Sequence, residues 1–480
     1  MNLLGQSRRH FLGQAGMGCG ALALTSLLQQ EGVLGAESSS PTTNPLAPRP
    51  SHFPAKAKSV IWLFQTGSPS QVDTFDYKPN LARRNGRTLA GADPKTGFFT
   101  TSGKCLKSPF KFRQHGESGA WVSEILPNVA KHVDDMAFIY SCYSRSNNHT
   151  PAMLEINSGY VRQGFPSMGS WLSYGLGSEN ASLPSYVVMH GVKPRGGDPV
   201  WSSGFLPSVY QATALDPRNK KPVANLDRPK GLSEQQQRSL LNRLAAANRK
   251  HAKKRPFEKD LAARIESFEL AYRMQTAAPE AFDVNREPES MREMYGLNRK
   301  ESANYGRQVL IARRLVERGV RFVQVFASVE KSPGGGVNDV PWDGHSDINA
   351  NHRAAAASID QPAGALLADL KARGMLDDTL VICCGEFGRT SDSQGSKGRD
   401  HNPNAFTTWM AGGGIKGGSM YGMSDEFGYK AVENRVNVHD LHATVLHLMG
   451  IHHEKLTYRF NGRDFRLTDV AGEVLHDIVK

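Results

Sequence analysis

Cysteine is scarce: Cys19, Cys105, Cys142, Cys383 and Cys384 are the only five among 480 residues. No Cys-x-x-Cys spacing occurs, which excludes the usual thiolate zinc site. Cys383 and Cys384 fall in an apolar run and read as small buried hydrophobes. Cys105 and Cys142 can pair only in an oxidising compartment. Aromatic residues make up 8% of the chain, and no stacking platform or reading helix accompanies the one modest basic cluster, Arg249–Arg255. The net charge of +12 is therefore not the signature of a nucleic-acid binder. No internal period appears, which excludes a solenoid or propeller. With 39% hydrophobic and 22% charged residues, the composition is that of a soluble globular protein. The length allows one large α/β domain with insertions, or two domains.

The N-terminus carries an address. Ser7-Arg8-Arg9-His10-Phe11-Leu12 precedes a Gly/Ala-rich apolar stretch from Gly13 to Leu28, and Leu34-Gly35-Ala36 offers small residues for cleavage. This is the twin-arginine export pattern. The stretch falls short of the about 20 apolar residues a membrane span needs. Residues 1–36 are expected to be a signal peptide read by the twin-arginine translocase, leaving a periplasmic or secreted protein with no stable membrane span. That route carries folded proteins, often with a metal already bound. Residues 37–55, rich in Ser, Thr, Asn and Pro, are expected to be a linker, and residues 56–480 the domain.

Within that domain the pattern alternates. Lys58–Phe64 reads as a buried strand delivering the turn Gln65–Ser70, with Asp73 and Asp76 directly after it. Met136–Tyr140 is a second strand. It leads through Asn147-Asn148-His149-Thr150-Pro151 into a helix over Ala152–Tyr160, with Thr150 as the expected cap. Residues 231–275 are charged and alanine-rich, broken at Pro256, and suit surface helices inserted outside the sheet. Tyr305–Arg318 and Ala356–Arg373 read as helices stopped by Gly319 and Gly374, each feeding a strand, Val320–Phe326 and Thr379–Cys384. Phe406–Met410 is a further strand. The expected fold is α/β, a large, mostly parallel sheet with helices on both faces.

Chemistry-bearing residues concentrate in three turns: Trp342-Asp343-Gly344-His345-Ser346-Asp347, Gly385-Glu386-Phe387-Gly388-Arg389-Thr390 and Gly398-Arg399-Asp400-His401-Asn402-Pro403. Mixed carboxylate and imidazole sets suit zinc, manganese or iron more than calcium, because imidazole is a borderline-soft ligand. In open α/β sheets, polar groups after the carboxyl ends of strands are where ligands gather. His439 and His442 lie three residues apart on one helix face, a spacing that suits ligands.

These motifs, with the closing Val438-His439-Asp440-Leu441-His442-Ala443-Thr444-Val445-Leu446-His447-Leu448-Met449-Gly450, resemble the family called domain of unknown function 1501, grouped with alkaline phosphatases and sulfatases. The resemblance implies an alkaline-phosphatase-like core whose strand ends hold one or two divalent ions, zinc, manganese, iron or calcium. Asp73 then resembles the metal-binding aspartate after the first strand, and Asp343 with His345 an Asp…His pair. Glu386 stands where an Asp-His pair is usual, with Phe387 in place of the histidine, and His401 resembles the late histidine of the first site. His149-Thr150-Pro151 through Gly159 matches the Pro and Gly spacing of the sulfatase nucleophile helix, without its cysteine. Thr150 is then either a nucleophile or a helix cap, and His149 a ligand, an acid/base or a turn residue. Arg389 or Arg399 pairs with anionic oxygens or with a structural carboxylate.

Two functions follow from this reading. One is an exported metal-dependent hydrolase of sulfate or phosphate esters, acting on an anionic ester such as a sulfated or phosphorylated glycan, with Thr150, His149 and Arg389 catalytic. The other is a non-catalytic binding or accessory protein that retains the fold, which Phe387 and the missing cysteine favour. A phosphoglycerate-mutase-like isomerase fits the fold but not export.

Overall fold

A computed structural model describes residues 44–480, apart from 90–92, 94, 100–102, 220–221, 224–225, 254–259, 328, 330–332 and 335–339. The expected signal peptide, 1–36, and Pro256 lie outside the described residues. Of the expected linker, residues 44–55 run along the domain. Leu46 is buried, and Arg49 donates to Tyr174 O and Tyr210 Oη.

Among the described residues, nine strands form the central sheet: β1 (Ser59–Phe64), β2 (Met136–Tyr143), β3 (Tyr186–His190), β4 (Thr213–Leu215), β5 (Phe322–Phe326), β6 (Thr379–Cys384), β7 (Phe406–Ala411), β8 (Ser419–Tyr421) and β9 (Val436–Asn437). Their order is β8-β2-β7-β6-β1-β5-β3-β4, with β9 on β2. Every pairing is parallel except the two made by β7. The sheet is thus mixed and mostly parallel, as the alternation in sequence led one to expect.

Both faces are covered, which is why β1 reads as a continuous apolar run. Ile61 and Leu63 enter one hydrophobic cluster, while Val60, Trp62 and Phe64 enter the other. The second face carries α1 (His149–Ser158), α2 (Met168–Leu176) and, near the C-terminus, Val438–Leu448. The first face carries α3 (Ala303–Val316) and α4 (Ile348–Ala372). The Val438–Leu448 helix, α5, starts with a capping box in which Asn437 and Asp440 satisfy each other's end of the first turn. In the 231–275 region stand the helices Glu234–Lys253 and Asp260–Phe282, the second burying Met274, Ala278 and Ala281 against the core. Cys105 and Cys142 are not bonded to each other. Both are free and buried, in separate hydrophobic clusters.

The topology decides where chemistry can gather. β2, β1, β5 and β6 run the same way, so their carboxyl ends share one edge of the sheet, and β7, running oppositely, begins there. Five chain segments therefore meet at that edge: 65–70, 144–149, 340–345, 385–389 and 398–403. Gly67 lets two of them touch. Its φ is +90°, and a Cβ there would stand 2.7 Å from Val340 O and 2.9 Å from Asp343 N.

Candidate metal centre

α1 is capped by Asn148, whose side chain accepts from Thr150 N at 3.3 Å; Thr150, expected as the cap, is instead inside the first turn and half-buried. Capping one residue pair earlier makes His149 the first helical residue and turns it, buried, toward the strand ends. The short ribbon of Gly388–Arg389 with His401–Asn402 sets His401 directly opposite Arg389. The 340–345 turn supplies Asp343 and His345.

The centre of the arrangement is Asp343 Oδ1. Around it lie Arg389 Nη2 at 2.7 Å, His345 Nε2 at 2.7 Å, His401 Nε2 at 3.2 Å and His149 Nε2 at 3.3 Å. Each imidazole has its other nitrogen engaged: His149 Nδ1 with Glu386 Oε1 at 2.6 Å, His345 Nδ1 with Gln394 Oε1 at 2.5 Å and His401 Nδ1 with Asn147 O at 2.6 Å. A carboxylate, an amide oxygen and a backbone carbonyl can only accept, so each Nδ1 carries a proton and Nε2 is the nitrogen each ring turns to the centre. Three Nε2 atoms then face one carboxylate oxygen. An oxygen at Nδ1 is the outer arrangement by which proteins orient metal-binding imidazoles.

The Asp343 carboxyl is buried, which favours its neutral form, yet Arg389 and the three imidazoles outweigh this and hold it far below the usual carboxylate range. Burial also opposes charge on His149, but the carboxylates of Asp343 and Glu386 prevail and raise it. His401, desolvated and facing Arg389, is pushed down to about 3. Among the buried atoms without a hydrogen-bond partner are His149 Nε2, Glu386 Oε2 and Arg389 Nη1, all at this one place. The residues present therefore fit a divalent metal ion.

Among the described residues, two donor triads satisfy metal-ligand spacing: His149, Asp343 and His401, and His345, Asp400 and His401. They share His401, whose Nδ1 is occupied by Asn147 O, so its one remaining nitrogen cannot serve two ions at once. Asp400, to which the sequence alone assigns no role, accepts from His401 N at 2.8 Å and from Phe99 N at 2.9 Å. Gln394 and Asn147 were also missed as orienting partners. Nothing in their local sequence distinguishes them, because their role depends on which ring they reach.

The remaining expected residues are distributed differently. Glu386 is fully buried and binds His149 Nδ1 and Gly67 N (3.0 Å) through one oxygen. Phe387 packs its ring 5.0 Å from that of His149 and 4.6 Å from that of His401. Asp73 is not brought to the cluster. It is paired with Arg399, Nε to Oδ2 at 2.6 Å and Nη2 to Oδ1 at 3.2 Å, and accepts from Ser70 Oγ at 2.5 Å. Arg399 also donates to Thr390 O and Leu106 O, so its fork is committed to structure, while Arg389 alone of the two reaches Asp343. His439 and His442 donate to Gly159 O and Ile156 O at the far end of α1, the packing role rather than the ligand role.

The family model described as "Protein of unknown function (DUF1501)" matches residues 57–479. No curated protein matches the chain. Among solved structures it is similar to the lipoteichoic acid synthase LtaP from Listeria monocytogenes, with 12% identity, a TM-score of 0.34, and 85% of this chain and 76% of that one covered. It is similar to the PsFucS1 sulfatase from Pseudoalteromonas sp. at 14% identity and a TM-score of 0.35, covering 82% and 68%. Alkaline phosphatase from the Antarctic bacterium TAB5 is similar at 13% identity and a TM-score of 0.34, covering 82% and 98%.

Proposed function

The chain belongs to the DUF1501 family, and from that premise we propose that it is a metal-dependent hydrolase of sulfate or phosphate esters. The observation that supports this reading is the convergence of three Nε2 atoms on Asp343 Oδ1, each ring fixed by an oxygen at its Nδ1. His149, His345, His401 and Asp343 would hold one ion. A bound divalent ion would polarise an ester oxygen and lower the pKa of a hydroxyl or water beside it.

The chain's own groups divide the remaining work. Glu386 engages Nδ1 of His149 and so directs its Nε2 toward Asp343 Oδ1. Arg389, buried with Nη1 unpartnered, supplies a fixed positive charge for an anionic ester without the cost of ordering a mobile side chain. Thr150 stands in the first turn of α1, where backbone N–H groups favour developing negative charge, and is the hydroxyl proposed as nucleophile.

We also place the protein outside the cytoplasm by the twin-arginine route, on the strength of Arg8-Arg9 and the apolar stretch that follows. Among the described residues no helix is long and apolar enough to cross a membrane.

The test is elemental analysis of the folded protein beside Asp343→Ala and His401→Ala. Stoichiometric metal that both variants lose, together with ester turnover, is the expected result. A metal-free protein whose stability is unchanged in both variants overturns the hydrolase and leaves the non-catalytic reading.

A further inference from the structure

Two exposed rings stand at the mouth of the histidine cluster. The Phe98 ring lies 5.7 Å from that of His401 and the Phe99 ring 5.0 Å from that of His345, and the two phenyls meet edge-on at 5.1 Å and 84°. They remain 45% and 49% exposed. Hydrophobic burial does not explain that position, since half-wet rings forgo much of what full burial gives.

Polar contacts hold them there instead. Phe99 N donates to Asp400 Oδ2, and Gly97 approaches the same carboxylate so closely that a Cβ would stand 2.3 Å from Oδ2. Thr96 O accepts from Asn147 Nδ2 at 3.2 Å, and Thr96 Oγ1 from Asn404 Nδ2 at 3.3 Å. Asn147 O is also the acceptor for His401 Nδ1, and Asp400 Oδ1 the acceptor for His401 N. The residues that aim His401 are thus the ones that fasten the two rings. Exposed aromatic faces fixed in this way beside a polar centre form a stacking surface.

We propose that Phe98 and Phe99 select the alcohol part of the ester: the substrate's esterified oxygen is borne by a ring with an apolar face, aryl or pyranose, that lies on the phenyl pair while the anionic group faces His149, His345, His401 and Arg389. This rests on the hydrolase reading for the anionic end only. Small alkyl esters reach the same centre without touching the platform.

The experiment uses the metal-loaded full chain and the double variant Phe98→Ala/Phe99→Ala. Calorimetric binding and turnover are measured for phenyl sulfate, phenyl phosphate and glucose 1-phosphate against ethyl sulfate and ethyl phosphate. The wild type is expected to bind at least one ring ester about tenfold more tightly than its ethyl counterpart, the size of a stacking contribution. Which ring is preferred separates an aryl from a sugar source. The double variant should lose that preference while ethyl-ester binding and metal content stay unchanged, and Phe98→Tyr/Phe99→Tyr should retain it. Equal binding of ring and ethyl esters by the wild type overturns the platform, as does an equal loss for both classes in the double variant. Preference without turnover keeps the platform and sinks the hydrolase, turnover without preference does the reverse, and no binding of any ester sinks both.

Discussion

The two ends of α1 use the same side chain in opposite ways. At its start, His149 joins His345 and His401, and all three rings give Nδ1 to an oxygen and point Nε2 at a common centre. At its finish, His439 and His442 give Nε2 to the backbone carbonyls of Gly159 and Ile156, at 3.0 and 2.8 Å. Those carbonyls are among the orphan acceptors every helix end must satisfy. What the other nitrogen faces therefore separates the two sets: the front Nε2 atoms converge on Asp343, whereas His439 Nδ1 meets Arg145 Nη2 at 3.3 Å and His442 Nδ1 has no hydrogen-bond partner. Sequence spacing points the other way, since His439 and His442 are three residues apart on one helix while the converging histidines come from three separate segments.

The contrast is broken most severely at the front. His401→Ala removes a converging nitrogen, and bound metal measured by elemental analysis is expected to disappear, a larger loss than outer partners produce. Glu386→Gln touches only the partner of His149, so metal affinity by titration should fall roughly 10–100-fold and occupancy return in excess metal. At the back, His442→Ala leaves Ile156 O buried without its donor. Urea denaturation should show a loss of about 1–3 kcal/mol, with metal affinity unchanged.

A finer prediction concerns pH. Burial pushes His442 down to about 3 from its ordinary 6.5, so the unfolded chain takes up the proton before the folded protein does. The contribution of His442 is complete above pH 6.5 and is lost as pH falls toward 3, at about 1.4 kcal/mol per pH unit. The stability gap between wild type and His442→Gln should narrow over that window, as denaturation midpoints at successive pH values will show. Smallest is Thr150→Ala. Because Asn148 is the cap, stability should change by no more than about 0.5 kcal/mol, and any large loss of ester turnover is then chemical in origin.

Much of the scaffold was legible before folding. β1 and β6 fall within a residue of their expected limits because strands buried on both faces must be apolar throughout. Gly319, at φ +84°, follows the end of α3 as expected of a residue free to adopt that conformation. α4 was read too short. It begins at Ile348, where the Asp347 side chain accepts from Ala350 N at 3.0 Å, and its first turns are too polar to announce themselves by hydrophobic period. Six of the expected site residues, His149, Asp343, His345, Glu386, Arg389 and His401, meet at one place, whereas Asp73 is taken up by Arg399. Two buried aspartates next to strand ends look alike in sequence. The nearest arginine in space separates them, and no local pattern encodes that.

The sequence by itself determined the alternation of strands and helices, the both-faced burial of the sheet and the chemical types available at the strand ends, because these follow from local periodicity and from which side chains can leave water. Tertiary structure alone decided which imidazole nitrogen is free, which arginine answers which carboxylate and where Phe98 and Phe99 stand. Hydrogen bonds are directional and act over about 3 Å, so they are settled only when segments far apart in the chain have been brought to the same edge of the sheet.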